Sequence, residues 1–77
     1  MTSTFKESLV GRLVAVRTVH GASTYHGTVK AVDASMNLVL ENATEESSHA
    51  TAAKVFMSLV FLRGSNVYYI LPLGGRQ

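Results

Sequence analysis

The 77 residues carry seven Lys or Arg against five Asp or Glu, a net charge of +2, with 47% hydrophobic residues, 16% charged residues and no cysteine. That length holds one domain, and a domain so small buries only about 60–65% of the surface its unfolded chain exposes. Without cysteine, disulfides, thiolate zinc sites and thiol catalysis are excluded, so a chain this apolar is expected to gain its missing stability by association.

Residues 4–10 read as a short helix: Thr4 and Glu7 make a capping box, Phe5 and Leu9 share a face, and Gly11 is a natural stop. Two turns cannot stand alone and must dock on something. From Arg12 the apolar period becomes two. Leu13–Thr18 is a strand, and residues 20–23 are a turn in which Gly21 supplies a positive φ. Residues 24–32 form a second strand. Thr24, His26, Thr28 and Lys30 make its polar face, and Tyr25, Val29 and Ala31 its apolar one. Gly27 interrupts it and predicts a bulge or sharp bend.

Residues 33–37 form a tight turn with Asp33 and Asn37 as Asx-type turn formers, leading into a strand over residues 38–41. Residues 42–53 are the least hydrophobic stretch, a solvated loop or a hairpin tip with extended arms, with a helical turn over 50–54. Val55–Leu62 and the stretch from Val67 to Leu71 are expected to form the last hairpin around residues 63–66. Val55–Leu62 is apolar on both faces, and the stretch from Val67 to Leu71 has no charged residue. A small antiparallel sheet normally wets one face, and an unpaired apolar edge invites aggregation. Another subunit is expected to cover these strands.

Chemistry is thin elsewhere. His20, His26 and His49 fall in a turn, a strand and a loop, with no shared face that could hold a metal ion. Glu45 and Glu46 read as solvated carboxylates. No phosphate-cradling loop, nucleophile elbow or dinucleotide fingerprint occurs, so neither an enzyme nor a cofactor is expected. No apolar run approaches the roughly 20 residues of a membrane helix, and the first residues have no signal core. An intracellular protein, nuclear or cytoplasmic, is the expectation.

Two patterns are specific. The series Gly11 … Val14-x-Val16 … Gly21 … Tyr25-x-Gly27 … Val32-Asp33-Ala34-Ser35-Met36-Asn37-Leu38-x-Leu40 resembles the first motif of the Sm/Sm-like (Lsm) family. Leu62-Arg63-Gly64-Ser65-Asn66-Val67-x-Tyr69-Ile70 resembles the second. They divide a single domain into a helix (4–10), a first motif (11–42), a variable loop (43–53), a second motif (55–71) and a tail (72–77). The resemblance implies a mainly β fold, a short N-terminal helix on a strongly bent five-stranded antiparallel sheet forming a small open barrel. It also implies six- or seven-membered rings, closed when Val55–Leu62 of one subunit pairs with the Val67 to Leu71 strand of the next. The partners would be other Sm/Lsm subunits or further copies of the chain.

The resemblance further implies a site for single-stranded uridine-rich RNA made of Ser35, Asn37, Arg63 and Gly64. Asp33, Met36 and Asn66 would support the loops. The Asn37 amide suits a uracil edge, the Arg63 guanidinium suits a base face and phosphate charge, and Gly64 admits close backbone approach. Ser35 departs from the aromatic or His that many members place there. The N-terminal half is closer to the F-type members and their Lsm counterpart, and Ile70-Leu71-Pro72 to the D-type ending, so the paralogue stays open. The function so implied is in splicing ribonucleoproteins or mRNA turnover. Two alternatives stand beside it: a structural ring subunit with little RNA contact, motivated by Ser35, and a ubiquitin-like modifier with a Gly74-Gly75 tail. The modifier would need an amphipathic helix where residues 33–37 form a turn.

Overall fold

The structure, a computed structural model, describes residues 8–47 and 54–73. Five strands, β1 (Leu13–Thr18), β2 (Ser23–Val32), β3 (Leu38–Ser47), β4 (Val55–Leu62) and β5 (Val67–Pro72), make one antiparallel sheet in the order β4-β3-β2-β1-β5. Ser8 and Leu9 end a helical turn ahead of it, with Leu9 inserted into the core. The capping box at Thr4 and Glu7, residues 50–53 of the helical turn predicted over 50–54, His49 and the Gly74-Gly75 tail lie outside the described residues. Gly11 takes φ +88° and its N–H donates to the Val29 carbonyl at 2.8 Å, which fastens the chain's entry to β2.

Gly27 bends the sheet. His26 pairs with Thr44 while Thr28 pairs with Glu41, so β3 spends one residue more than β2 across the bend. Asn42 absorbs the irregularity with φ +52°. A Cβ at Gly27 would stand 3.0 Å from the Ala43 Cβ and 3.2 Å from the Glu41 carbonyl oxygen. Any side chain there would force the two strands apart. A second slip lies between Val29 and Ala31. Bulges of this kind add local twist and curvature, and here they wrap the sheet around Leu9, Val14, Val16, Val29, Leu38, Leu40, Ala43, Val60 and Leu62.

Two expectations need correction. β4 and β5 are not a hairpin. They sit at opposite ends of the sheet, β4 on β3 and β5 on β1. A 3-10 turn over Gly64–Asn66 links them, and curvature alone lets so short a link pass from one edge to the other. β3 also runs on to Ser47 rather than ending at Glu41. Its polar composition hides a paired arm: Ala43 is fully buried, and Glu45 faces Tyr25 on one side and Val55 on the other. Of the two alternatives for residues 42–53, extended arms describe residues 42–47.

Candidate nucleic-acid interface

The turn between β2 and β3 is built by one side chain. Asp33 Oδ1 accepts the backbone N–H groups of Ser35 and Asn37, each at 2.9 Å. Its Oδ2 accepts from Asn37 Nδ2, also at 2.9 Å. This is an Asx turn, in which a short carboxylate replaces backbone partners. Two backbone bonds complete it, Met36 N–H to the Asp33 carbonyl at 2.9 Å and Asp33 N–H to the Asn37 carbonyl at 3.2 Å. Met36 takes φ +64° and packs, half-buried, against the core, while Ser35 stays exposed. Turning the Met36 side chain inward is what leaves Ser35 and Asn37 at the rim.

The turn after β4 docks on this one. Gly64 N–H donates to Asn37 Oδ1 at 2.7 Å. A Cβ at Gly64 would overlap the Ser35 carbonyl oxygen and stand 3.0 Å from the Met36 carbonyl carbon. Gly64 is therefore required by close approach to the neighbouring turn of its own chain. Arg63, in extended backbone at the start of the 3-10 turn, is exposed, and its carbonyl accepts the Asn66 N–H at 2.9 Å.

Asp33, Ser35, Met36, Asn37, Arg63 and Gly64 thus come together from 27 residues apart in sequence at the Gly64–Asn37 contact. Asn66 does not join them. Its Oδ1 accepts the His20 N–H and its carbonyl accepts the Val19 N–H, both at 2.8 Å, so it ties the β1–β2 turn to the β4–β5 turn. Sequence reasoning missed a further anchor of that third turn. Buried Thr18 donates through Oγ1 to the His20 carbonyl at 2.9 Å and accepts the Ser23 N–H at 3.2 Å. A threonine ending a strand carries no signal of that role.

Behind the two docked turns lies a hollow of about 280 Å³ lined by Met36, Gly64, Val67, Tyr68, Tyr69 and Ile70. A smaller one of about 230 Å³, lined by Arg17, Thr18, Val19, Ala22 and Tyr68, adjoins it across Tyr68. Among the described residues no three His, Asp or Glu side chains cluster in a way that could hold a metal ion.

A bent five-stranded antiparallel sheet, with an Asx turn and an Arg-Gly turn locked together at one rim, defines a class of small, open β-barrels. The LSM domain model matches residues 4–72, and the chain belongs to that family. It is 38% identical over 74 residues to the U6 snRNA-associated Sm-like protein LSm6 of Eremothecium gossypii, covering 94% of this chain and 86% of that one. It is also 38% identical over 72 residues to the LSM complex subunit LSM6 of Saccharomyces cerevisiae, covering 91% of this chain and 83% of that one. A heptameric archaeal Sm protein has the same fold, with a TM-score of 0.78 and 24% identity over 94% of this chain and all of that one.

Proposed function

We propose that the chain is a subunit of an Sm/Lsm ring that binds single-stranded uridine-rich RNA, acting by binding rather than catalysis. Such a subunit works on RNA processing within the cell, in the nucleus or the cytoplasm. The observation that carries the RNA site is the use of the Asn37 amide. Its group offers two donors and two acceptor positions. One donor goes to Asp33 and one acceptor position to Gly64. One donor and one acceptor are left at a fixed orientation, which is the complement of a uracil edge. The exposed Arg63 guanidinium, held beside it through Gly64, supplies a stacking face and a charge for phosphate. The relatives called LSm6, one of them named as an LSM complex subunit, support the ring. So do the two sheet ends left with an outer edge.

Binding of oligouridylate to the assembled ring tests the site. Arg63→Ala is the cleaner arm, because Arg63 enters the docked turns through its backbone alone. Loss of a stacking partner costs about 1–3 kcal/mol per base, so roughly tenfold weaker binding or more is expected. Asn37→Ala removes the base edge and the lock on Gly64 together, and weakens binding further. Affinity unchanged by both substitutions would sink the assignment and favour the scaffold reading of the subunit.

A further inference from the structure

The smaller hollow lies outside the contacts that build the Asn37 turn, and its lining is chemically distinct. Arg17 and Thr18 end β1, Val19 and Ala22 belong to the turn after it, and Tyr68 of β5 is the wall shared with the larger hollow. A regular strand points consecutive side chains to opposite faces, yet the Tyr68 and Tyr69 rings meet at 5.5 Å between centroids, tilted by 48°. A bulge is the cause. Thr18 pairs with Val67 and Arg17 with Tyr69, so Tyr68 is an extra residue with no opposite number on β1. Bulges of this kind re-aim a side chain, and this one turns Tyr68 onto Tyr69. The tilted contact braces the Tyr68 ring while the residue stays 70% exposed.

Arg17 stands opposite Tyr69 on the neighbouring strand, beside this ring pair. Among the described residues its one side-chain hydrogen bond goes from Nη1 to Thr24 Oγ1 at 3.3 Å, and no carboxylate pairs with it. A guanidinium carries several N–H donors, so most of its capacity is open. The turn beside it is fastened to the turn that carries Arg63. Asn66 accepts the Val19 N–H through its carbonyl and the His20 N–H through Oδ1, both at 2.8 Å. The hollow therefore keeps a fixed position relative to Arg63. It also lies on the β1 side of Tyr68, one strand in from the outer edge of β5, so a strand laid against that edge leaves its β1 wall uncovered.

We infer that this hollow is a second base subsite for the same RNA strand, in which one nucleobase stacks on Tyr68 and its phosphate pairs with Arg17. The inference rests on the RNA reading above and extends it. An aromatic platform beside a basic side chain holds single-stranded RNA with little regard to sequence, because every base has a π face. Thr18 could have read a base edge, but its hydroxyl is committed to the His20 carbonyl and the Ser23 N–H. Val19 and Ala22 bring no polar side-chain atom to the lining. The uracil is therefore selected at Asn37, and this second position adds affinity that tolerates any base.

Titration of the assembled ring with oligouridylates of increasing length provides the test. Affinity of the parent should rise again once the strand extends past the length that fills the Asn37 sites. The added nucleotides should tolerate replacement of uridine by adenosine or cytidine. Tyr68→Ala should remove about fivefold or more of that gain, the worth of one stacked base, and Tyr68→Phe should retain it. Arg17→Gln should lower the salt slope of long-strand binding by about 0.7 for each subunit contacted. Tyr68→Ala and Arg17→Gln should both keep the affinity of the shortest oligouridylate that binds. Tyr68 lies on an outer strand, so native mass spectrometry verifies the ring. Should Tyr68→Ala disperse it, Arg17→Gln, one strand in, decides. Long-strand affinity and salt slope unchanged in the variants overturn the subsite and leave the Asn37 reading standing. Equal losses for short and long strands overturn it as well, since the hollow would then act only through the neighbouring turn. A parent ring that binds no oligouridylate overturns both readings.

Discussion

At the scale of single residues, the site is a set of local bonds with one long-range contact. The Asp33–Asn37 turn was legible in the sequence because an Asx turn needs only residues within four positions of each other. The reason for Gly64 was not. A glycine inside a motif suggests room for a ligand, whereas the structure puts the Ser35 carbonyl oxygen where its Cβ would be. Gly64→Ala is therefore expected to push the two turns apart and break the bond to Asn37. Leaving part-buried polar groups unpaired costs about 1–3 kcal/mol. A urea unfolding midpoint should fall accordingly, and oligouridylate binding with it. A variant as stable and as tight-binding as the parent would refute the close-approach account. Ser35 makes the opposite prediction. It is exposed at the rim beside Asn37, with only its backbone N–H given to Asp33. Ser35→Phe should leave the turn intact and add a stacking face, tightening uridine binding by about 1–3 kcal/mol per base. Equal affinity in a titration would mean that no base passes over this position.

At the scale of elements, β1 and β2 were readable because alternation and a lone glycine speak for themselves. The arm of β3 was not, because its glutamates look solvated until their partners are known. Glu45 accepts from Ser23 Oγ at 3.0 Å and lies opposite Tyr25. Burial raises the Tyr25 pKa above its ordinary value, and the Glu45 charge and its hydrogen bond to the phenol raise it further. The folded state therefore holds the phenolic proton more tightly than the unfolded chain. The resulting stability is fully present below the unfolded value of about 10 and is lost as pH rises through the folded one. Unfolding midpoints measured across that alkaline range should decline in the parent chain more steeply than in Tyr25→Phe. Parallel profiles would show that the β2–β3 arm does not depend on this proton.

For the whole molecule, the excess of apolar residues read from composition lies on the two strands that the sequence marks for cover, β4 and β5, but at opposite ends of the sheet and not in one hairpin. Had β4 and β5 paired with each other, each would have closed an edge of the other. A four-residue connection normally implies that pairing, and only the curvature introduced at Gly27 and the 3-10 turn after Arg63 send the chain to the far side of the sheet. The two strands instead leave two open, uncharged edges on one small domain. A fold that buries part of its apolar surface only against neighbours gains stability by mass action. The thermal midpoint of the purified chain should therefore rise with protein concentration. A tenfold increase changes the association free energy by about 1.4 kcal/mol, and in a domain this small about 1 kcal/mol moves the midpoint by roughly 4–8 °C. A rise of about 6–11 °C per tenfold is expected where assembly and folding are coupled. Phe61→Ala, which removes a large apolar side chain exposed on the outer strand β4, should flatten that dependence and leave a lower, concentration-independent midpoint. A midpoint that is already independent of concentration in the parent would mean that the nine-residue core from Leu9 to Leu62 suffices by itself, and that the open edges contribute nothing to holding the domain together.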